Sequence, residues 1–210
     1  MIEIKHRESG QVLLQLDAEG LAGHNFDGCR LPGADFSGAE MQGVDFHNAD
    51  LRDVDFSGCN LEGANFQSAS LSGAIFVRAN LSHANFTDAL LEGSKFCDAV
   101  CTGAIFRYAR LPNSDLTGVN LTGADLSVAD LRGNLNEANL TRADLRGADL
   151  TGANLIGANL TLSNMFDAKL ADAKMARIKM EGAIGPHGQR VGSKVGARRK
   201  SARPWWQFWG

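Results

Sequence analysis

Residues Glu137 to Leu160 read EANLTRADLRGADLTGANLIGANL, in which Ala, then Asn or Asp, then Leu recurs every fifth residue. Five residues advance an α-helix by about 500°, so the leucines would spiral around its axis. Five is also odd, so in a flat strand successive leucines would point to opposite faces. A backbone that turns a corner every five residues and closes into a coil keeps every leucine inside. The pattern therefore predicts a solenoid.

The same repeat extends over roughly Leu21 to Met180 and resembles that of the pentapeptide repeat proteins, whose consensus is A-(D/N)-L-x-x. The resemblance implies an all-β fold, a right-handed quadrilateral β-helix with four quintets per coil and one quintet on each side. It also implies that the Leu or Phe and the small residue two positions before it point inward. The other three residues of each quintet would face solvent.

The phenylalanines support a four-sided coil without help from the family. From Phe26 onward, Phe returns every ten residues at the large inward position. If four quintets close a coil, residues twenty apart stack, so Phe26 lies under Phe46 while Phe36 lies under Phe56 on the opposite side. Three quintets per coil would place Phe under Leu throughout. Columns of stacked rings are favourable, so the spacing favours the square.

The corners and the length of the rod also follow from the repeat. The Asn or Asp is predicted to occupy a corner, because its side chain can hydrogen-bond nearby backbone groups in a turn. Leu131 is followed by Leu135, one residue early, which predicts a shortened corner at Arg132 to Asn134 in an otherwise continuous coil. This corner is either a tolerated defect or a kink that shapes a binding surface. The inward positions make about eight coils, a rod on the order of 38 Å long.

Three regions are predicted. Residues 1–20 alternate apolar and charged residues on either side of a turn, which indicates a β-hairpin that caps the open end of the coil. Residues 21–183 form the β-helix. Residues 184–210 lack the repeat, are rich in Gly, Lys and Arg and end in a Trp-rich cluster, which indicates a flexible tail.

The sequence predicts a cytoplasmic protein that is not an enzyme. The start MIEIKHRESG is charged where a signal peptide needs an apolar region, and no apolar run approaches the roughly 18 residues that span a bilayer. The four cysteines and five histidines are scattered and match no metal-binding spacing. A narrow interior filled by Phe and Leu leaves no pocket for a substrate. We therefore expect no cofactor and no metal.

An acidic run near the start of the rod is the first candidate interaction surface: Asp35, Glu40, Asp45, Asp50, Asp53 and Asp55. It is either a solvated surface that keeps the rod soluble or an electrostatic mimic of nucleic acid. The resemblance implies the second, because some family members resemble duplex DNA and bind DNA gyrase, protecting it from inhibitors. Against it, the rod is only moderately negative, Lys and Arg punctuate it, and no long loop projects. We do not expect the acidic rod to bind nucleic acid.

The tail is the second candidate, through a basic and aromatic set of residues: Arg198, Arg199, Lys200, Arg203, Trp205, Trp206, Phe208 and Trp209. Such a set suits an anionic membrane surface, nucleic acid, a groove in another protein, or the open end of the coil itself. An uncapped carboxy-terminal coil could also pair end to end with a second copy as a homodimer.

Three functions are therefore compatible with the sequence. The first is a non-catalytic protein-interaction scaffold, the second a DNA-mimic modulator of gyrase, and the third a peripheral membrane or assembly tether acting through the tail. The identity of a protein partner is not encoded in any motif. Outward apolar residues interrupt the polar columns at Ile75, Leu90, Val100 and Ile105, but the twenty-residue rule places them on four different sides.

Overall fold

The computed structural model describes residues 1–192. They contain three short strands and no α-helix: β1 (Ile2–His6), β2 (Val12–Leu16) and β3 (Ala34–Asp35). Strand β1 lies between the other two and pairs antiparallel with both. Along the rest of the described chain, parallel one-residue bridges join each coil to the next. The candidate tail residues, from Arg198 to Trp209, lie outside the described residues.

The quintet Leu51–Asp55 shows how the repeat folds. Leu51 and Val54 are fully buried, and the Val54 N–H donates to the Leu51 carbonyl at 3.4 Å, which closes a four-residue turn. Arg52 and Asp53 form the exposed corner, where Asp53 has φ of 57°. The inward positions predicted for the large and the small residue are thus confirmed.

The prediction that the Asn or Asp occupies the corner is wrong. Asp55 lies in the middle of a side, where its N–H donates to the Ala34 carbonyl and its carbonyl accepts from the Phe36 N–H, both at 2.9 Å. A residue that bonds the neighbouring coil through both backbone groups must be extended. Only its side chain serves the corner, where Asp55 Oδ1 accepts the Ser57 N–H at 2.8 Å.

The bridges join residues twenty apart, and nineteen apart across the shortened corner, so they form four columns along the rod. We name each flat side by the first bridge residue of its column: face A begins at Asn25, face B at Arg30, face C at Asp35 and face D at Glu40. Corners take the names of the faces they join. The column of face A has nine members and ends at Ile184, which gives eight steps from coil to coil. The four-sided coil is confirmed.

The phenylalanines fill the first half of the interior as two stacked columns. Phe66 and Phe86 stack with centroids 4.8 Å apart and planes 5° apart, and Phe76 and Phe96 stack in the second column at 4.7 Å and 17°. The two columns also touch each other edge to face, as between Phe66 and Phe76 at 5.8 Å and 84°. The stacking is as predicted, whereas the contact between columns was not foreseen.

The shortened corner closes with a tighter turn. The Gly133 N–H donates to the Leu131 carbonyl at 2.8 Å, so this turn spans three residues instead of four. Gly133 takes the small inward position between its neighbours in the column, because the Asn134 N–H donates to the Ser114 carbonyl and the Asn154 N–H to the Gly133 carbonyl. A Cβ at Gly133 would lie 2.6 Å from the Ser114 carbonyl oxygen, so only glycine fits here.

The amino-terminal hairpin lies against the first coil. Strand β1 pairs with β3 through two residue pairs, and beyond it the Arg7 N–H donates to the Gly33 carbonyl at 2.8 Å. Ile4 is 2% exposed, so the hairpin shares the core of the coil. The hairpin thus gives the first coil backbone and apolar partners that a bare end would lack.

The ordered coil extends past the boundary predicted at residue 183. Ile184 accepts the Met165 N–H at 2.8 Å in the next bridge of face A, and the chain then folds back so that Ile184 pairs antiparallel with Arg190. The Gly182 N–H donates to the Val191 carbonyl at 2.9 Å. These backbone bonds hold residues 184–192, which the sequence analysis had assigned to a flexible tail, against the end of the coil.

Candidate interaction surfaces

The six acidic residues predicted as an interaction surface do not form one patch. Successive quintets occupy successive sides, so a run in the sequence winds around the rod. Asp45 lies on face A, Asp50 on face B, Asp35 and Asp55 on face C, Glu40 on face D and Asp53 at the B–C corner. Asp35 and Asp55 are stacked neighbours on face C.

Several of these carboxylates bond groups of their own rod. Asp35 Oδ1 accepts the Ser37 N–H at 2.9 Å, as Asp55 does for the residue two positions on. Asp45 Oδ1 accepts from the Asn65 side-chain amide one coil away at 2.8 Å. Such bonds fix the direction of each side chain and complete the turns. The acidic run is therefore partly structural.

Arginines pair with acids on faces A and B. Arg52 binds Asp50, and Arg132 binds Asp130, each at 2.7 Å. In both pairs the two residues are two positions apart in the sequence. The hydrogen bond from each guanidinium lowers the pKa of its carboxyl partner below the usual value. On face A, Arg107 reaches Asp125 at 2.6 Å. These pairs interrupt the negative potential that a mimic of duplex DNA would need along its length.

A group of exposed apolar side chains gathers on face A and its two corners. We name it the face A patch; its members are Ile105 at 39% exposure, Tyr108 at 52%, Val128 at 52%, Leu162 at 46% and Phe166 at 45%. Ile105 is a bridge residue of face A. Leu162 lies at the D–A corner, and the other three lie at the A–B corner in the second half of the rod.

The A–B corner carries three members of the patch, of which Tyr108 and Val128 lie on successive coils and Phe166 two coils further on. The Tyr108 N–H donates to the Ser127 carbonyl at 3.3 Å, which places Tyr108 one coil from Val128. A Cβ at Gly147 would lie 3.7 Å from Val128 Cγ2, and the Gly147 N–H donates to the Phe166 carbonyl at 2.9 Å. The Val128 side chain therefore lies beside Gly147, whereas the Phe166 ring lies near Gly188, where a Cβ would be 3.6 Å from it.

Sequence reasoning missed the face A patch because it examined only one outward position per quintet. The structure places Ile75 on face C, Leu90 on face B, Val100 on face D and Ile105 on face A, as predicted. The remaining members of the patch lie at the two corner positions. Stepping through those positions by twenty residues, and by nineteen across the shortened corner, is the signal that would have found them.

The carboxy-terminal ends of the four faces differ in charge. The last bridge residues are Lys169 on face B, Lys174 on face C and Lys179 on face D, whereas face A ends at Ile184. At the corners beside this end of face A lie two exposed acids, Asp167 and Glu181. Face A is thus the one face whose described column ends without a lysine.

The described part of the chain holds no cluster of metal ligands, and its two buried cysteines stay protonated. All four cysteines are free. Burial raises the pKa of the Cys59 thiol to about 11 and that of Cys101 further, so both stay protonated at neutral pH. Within residues 1–192, no group of three or more His, Cys, Asp or Glu is placed to hold a metal ion. No helix in those residues is long and apolar enough to cross a membrane.

Two family models match the chain in sequence. The model described as pentapeptide repeat region matches residues 18–86, and the model described as pentapeptide repeats in eight copies matches residues 94–133 and 134–165. Together they cover most of the rod. No curated protein matches the chain.

Two solved structures show the same fold, and a third protein is similar in sequence. One trypsin-treated variant of QnrB1, described as a plasmid-mediated fluoroquinolone resistance protein, is 25% identical over 76% of this chain and 90% of its own, with a TM-score of 0.62. A second such variant is 27% identical over 76% and 87%, with a TM-score of 0.55. HetL from the cyanobacterium Nostoc, a pentapeptide repeat protein involved in heterocyst differentiation regulation, is 28% identical over 80% and 92%, with a TM-score of 0.29.

Proposed function

This chain belongs to the pentapeptide repeat family, and we propose that it is a non-catalytic scaffold that binds another protein along the columns of its rod. The observation that carries the proposal is the filled interior. From Phe46 to Leu160 the large inward side chains are 0% exposed. A core of this kind leaves no room for a substrate, so every group that can contact a partner projects outward in a column with a spacing of about 4.8 Å.

The outward side chains are also held in place before a partner arrives. On face D, Asn139 donates from its amide to Asn120 Oδ1 at 3.4 Å, and Asn139 Oδ1 accepts from the Thr141 hydroxyl at 2.6 Å. The same hydroxyl-to-amide bond recurs one coil on, between Thr161 and Asn159. Side chains that are already ordered lose less conformational entropy on binding. A rigid, ordered column is therefore a good protein-binding surface.

A panel of four substitutions tests which face binds. Ile75→Lys, Leu90→Lys, Val100→Lys and Ile105→Lys each place one charge at a bridge position of a different face. The full chain and each variant are used to capture proteins from native lysate, and the retained proteins are quantified. We expect at least one protein to be lost from one variant and kept by the other three. Retention of nothing, or equal retention by all four, would contradict binding through a column.

Removal of the tail supplies the second arm of this experiment. The truncation should end at Gly192, because the Val191 N–H donates to the Ala183 carbonyl and a chain ending at residue 183 would lose part of the ordered coil. A partner kept by the truncated chain and lost from one face variant binds the rod. A partner lost on truncation and kept by all four face variants would instead assign binding to the tail and contradict the scaffold proposal.

The second candidate is a modulator of DNA gyrase, favoured by the likeness to QnrB1, whose description is fluoroquinolone resistance. The tail beyond residue 192 holds five basic residues and no acid, so residues 1–192 carry 16 basic and 24 acidic side chains. This excess of acid supports a charge-driven contact. The distribution of the acids over four faces and the Asp–Arg pairs weaken it, and the scaffold therefore stands first.

Supercoiling by purified gyrase decides on this second candidate. The full chain is titrated into the reaction at low salt, with and without a fluoroquinolone. We expect protection from the drug, or altered supercoiling, that fades as salt rises, because salt screens contacts between exposed charges. Unchanged supercoiling and unchanged drug poisoning at stoichiometric excess would remove gyrase as a partner and leave the scaffold proposal in place.

A further inference from the structure

We propose that residues 193–210 dock on the face A patch of their own rod. This inference concerns how the chain binds itself and goes beyond the proposed function, since it holds whichever partner the rod has. The patch is the group of Ile105, Tyr108, Val128, Leu162 and Phe166 defined above. Four observations support it: where the chain leaves the rod, how far it can reach, the charge at the ends of the faces, and the chemistry of the two surfaces.

The described chain ends beside face A. After Ile184, the last bridge residue of that face, the backbone folds back and pairs with it at Arg190. The Val191 carbonyl then accepts from Gly182 at the D–A corner, and a Cβ at Gly192 would lie 4.0 Å from the Gly182 nitrogen. The described chain therefore ends at an edge of face A, at the corner that carries Leu162.

The tail is long enough to cover the patch. Its eighteen residues span on the order of 60 Å when extended. Along face A, the coil of Ile105 lies four bridge steps from that of Ile184, about 19 Å at the spacing of neighbouring coils. The aromatic cluster begins at Trp205, thirteen residues past Gly192, and a chain of that length exceeds the distance to every member of the patch.

The charge at the end of the rod differs between face A and the other three faces. The tail contributes Lys and Arg and no acid. The columns of faces B, C and D end with Lys169, Lys174 and Lys179, which would repel a basic segment, whereas the column of face A ends with Ile184 and its pairing partner Arg190. The two corners that border this end of face A each carry an exposed acid, Asp167 and Glu181. A basic segment that leaves the rod here therefore meets two corner acids and one arginine at face A, and a lysine at the end of each other column.

The chemistry of the two surfaces is complementary as well. The last six residues of the chain include three tryptophans and one phenylalanine. The patch offers two exposed rings, Tyr108 and Phe166, and the exposed Val128 side chain beside Gly147. Arg107 and Arg146 at the same corner are about half exposed, with side-chain values of 50% and 55%, while each is held by a carboxylate of face A. Cations fixed in this way can lie over tryptophan rings.

The consequence is a rod that covers its own apolar surface. Exposed apolar groups of this kind mark binding sites or lead to association. A docked tail would shield the patch in the free protein.

Tryptophan fluorescence tests the proposal directly, because all three tryptophans of the chain lie in the tail at Trp205, Trp206 and Trp209. The full chain is compared with Val128→Lys and Phe166→Lys, which place a charge within the patch. Val100→Lys is the matched control, since Val100 is an exposed valine on face D. We expect blue-shifted emission and protection from acrylamide in the full chain and in the control, and loss of both in the two patch variants.

Three results would overturn the proposal. The first is a full chain whose tryptophans emit and are quenched like free indole in water. The second is a blue shift that survives both patch substitutions, or that the face D control removes equally. The third is a blue shift that disappears on dilution, which would mean that the tail docks on a second copy. Far-UV circular dichroism of every variant confirms that the coil is intact, so a change in fluorescence reports docking and not unfolding.

Discussion

The aromatic interior makes a quantitative prediction for Phe66→Leu. Phe66 is 0% exposed and stacks with Phe46 at 5.4 Å and Phe86 at 4.8 Å. It also meets Phe56 and Phe76 edge to face at 5.6 and 5.8 Å. Leucine keeps most of the buried apolar area and removes all four ring contacts. The substitution therefore measures the contribution of ring geometry to the stability of the rod.

Phe106→Leu is the matched control. Phe106 is also 0% exposed, but it ends its column and meets two rings, Phe86 at 4.7 Å and Phe96 at 6.0 Å. Both variants exchange the same side chain at equal burial, so the loss of hydrophobic transfer is common to them. Each ring pair contributes roughly 0.5 to 1.5 kcal/mol beyond burial. The two additional pairs of Phe66 should make its substitution costlier by about 2 kcal/mol in the free energy of unfolding.

Urea denaturation followed by far-UV circular dichroism measures this difference, because the described residues 1–192 contain no tryptophan that could report the core by fluorescence. The slopes of the transitions must agree between variants for the midpoints to be compared, since repeat proteins can unfold in parts. Equal losses for the two variants would refute the idea that ring contacts add to burial. A larger loss for Phe106→Leu would show that the junction with the leucine half is the weaker point.

Three further predictions follow from local geometry. Gly133→Ala should destabilise the coil by about 2 kcal/mol, because the added Cβ meets a backbone oxygen. Gly123→Ala is its control, since Gly123 has φ of 67° and a Cβ there would have nothing within 4 Å. In thermal melts this control should lose only about 1 kcal/mol. Val128→Gly should raise the melting temperature, because an exposed β-branched residue at φ of 59° is strained; a lower value would contradict this. Arg132→Gln should raise the lowered pKa of Asp130 in an NMR titration. Because the pKa of Asp130 is depressed in the folded chain, the ion pair stabilises the fold at pH values above the unfolded pKa of about 3.9. This contribution is lost as the pH falls through the folded pKa. The Arg132→Gln variant should therefore lack this pH-dependent part of the free energy of unfolding.

Much of the fold could be predicted because one physical constraint recurs in every quintet. A bulky residue must be inside, so a period of five forces a corner, and Phe returning every ten residues fixes four sides. The stacking of Phe26 on Phe46, at 5.0 Å and 13°, is the direct result. The edge-to-face contact between the two columns depends on the width of the coil, which no spacing in the sequence reveals. The place of the Asn or Asp within a side was not predicted either, because it depends on backbone hydrogen bonds to neighbouring coils, which no spacing in the sequence reveals.

The candidate surfaces were harder to predict, because neighbours in the sequence of a solenoid are not neighbours on its surface. The acidic run from Asp35 to Asp55 is contiguous in sequence, yet each quintet turns the chain onto another face. Tyr108 and Val128 are twenty residues apart and lie on successive coils of one corner. A surface on this fold is a property of columns, and only two of the six acids share one.

The shortened corner determines whether such columns continue. After Leu131 a step of twenty residues would set Val128 against Ala148, a buried residue, whereas the observed step of nineteen sets it against Gly147. Each of the four columns has one step of nineteen residues, as from Asp125 to Asp144 on face A. The backbone bridges join each coil to the next even though one corner contains fewer residues. The shortened corner therefore adds a tight turn between two faces and leaves the column of every face continuous. The face A patch has members in the coils before and after the shortened corner, and a tail docked there would follow one uninterrupted face.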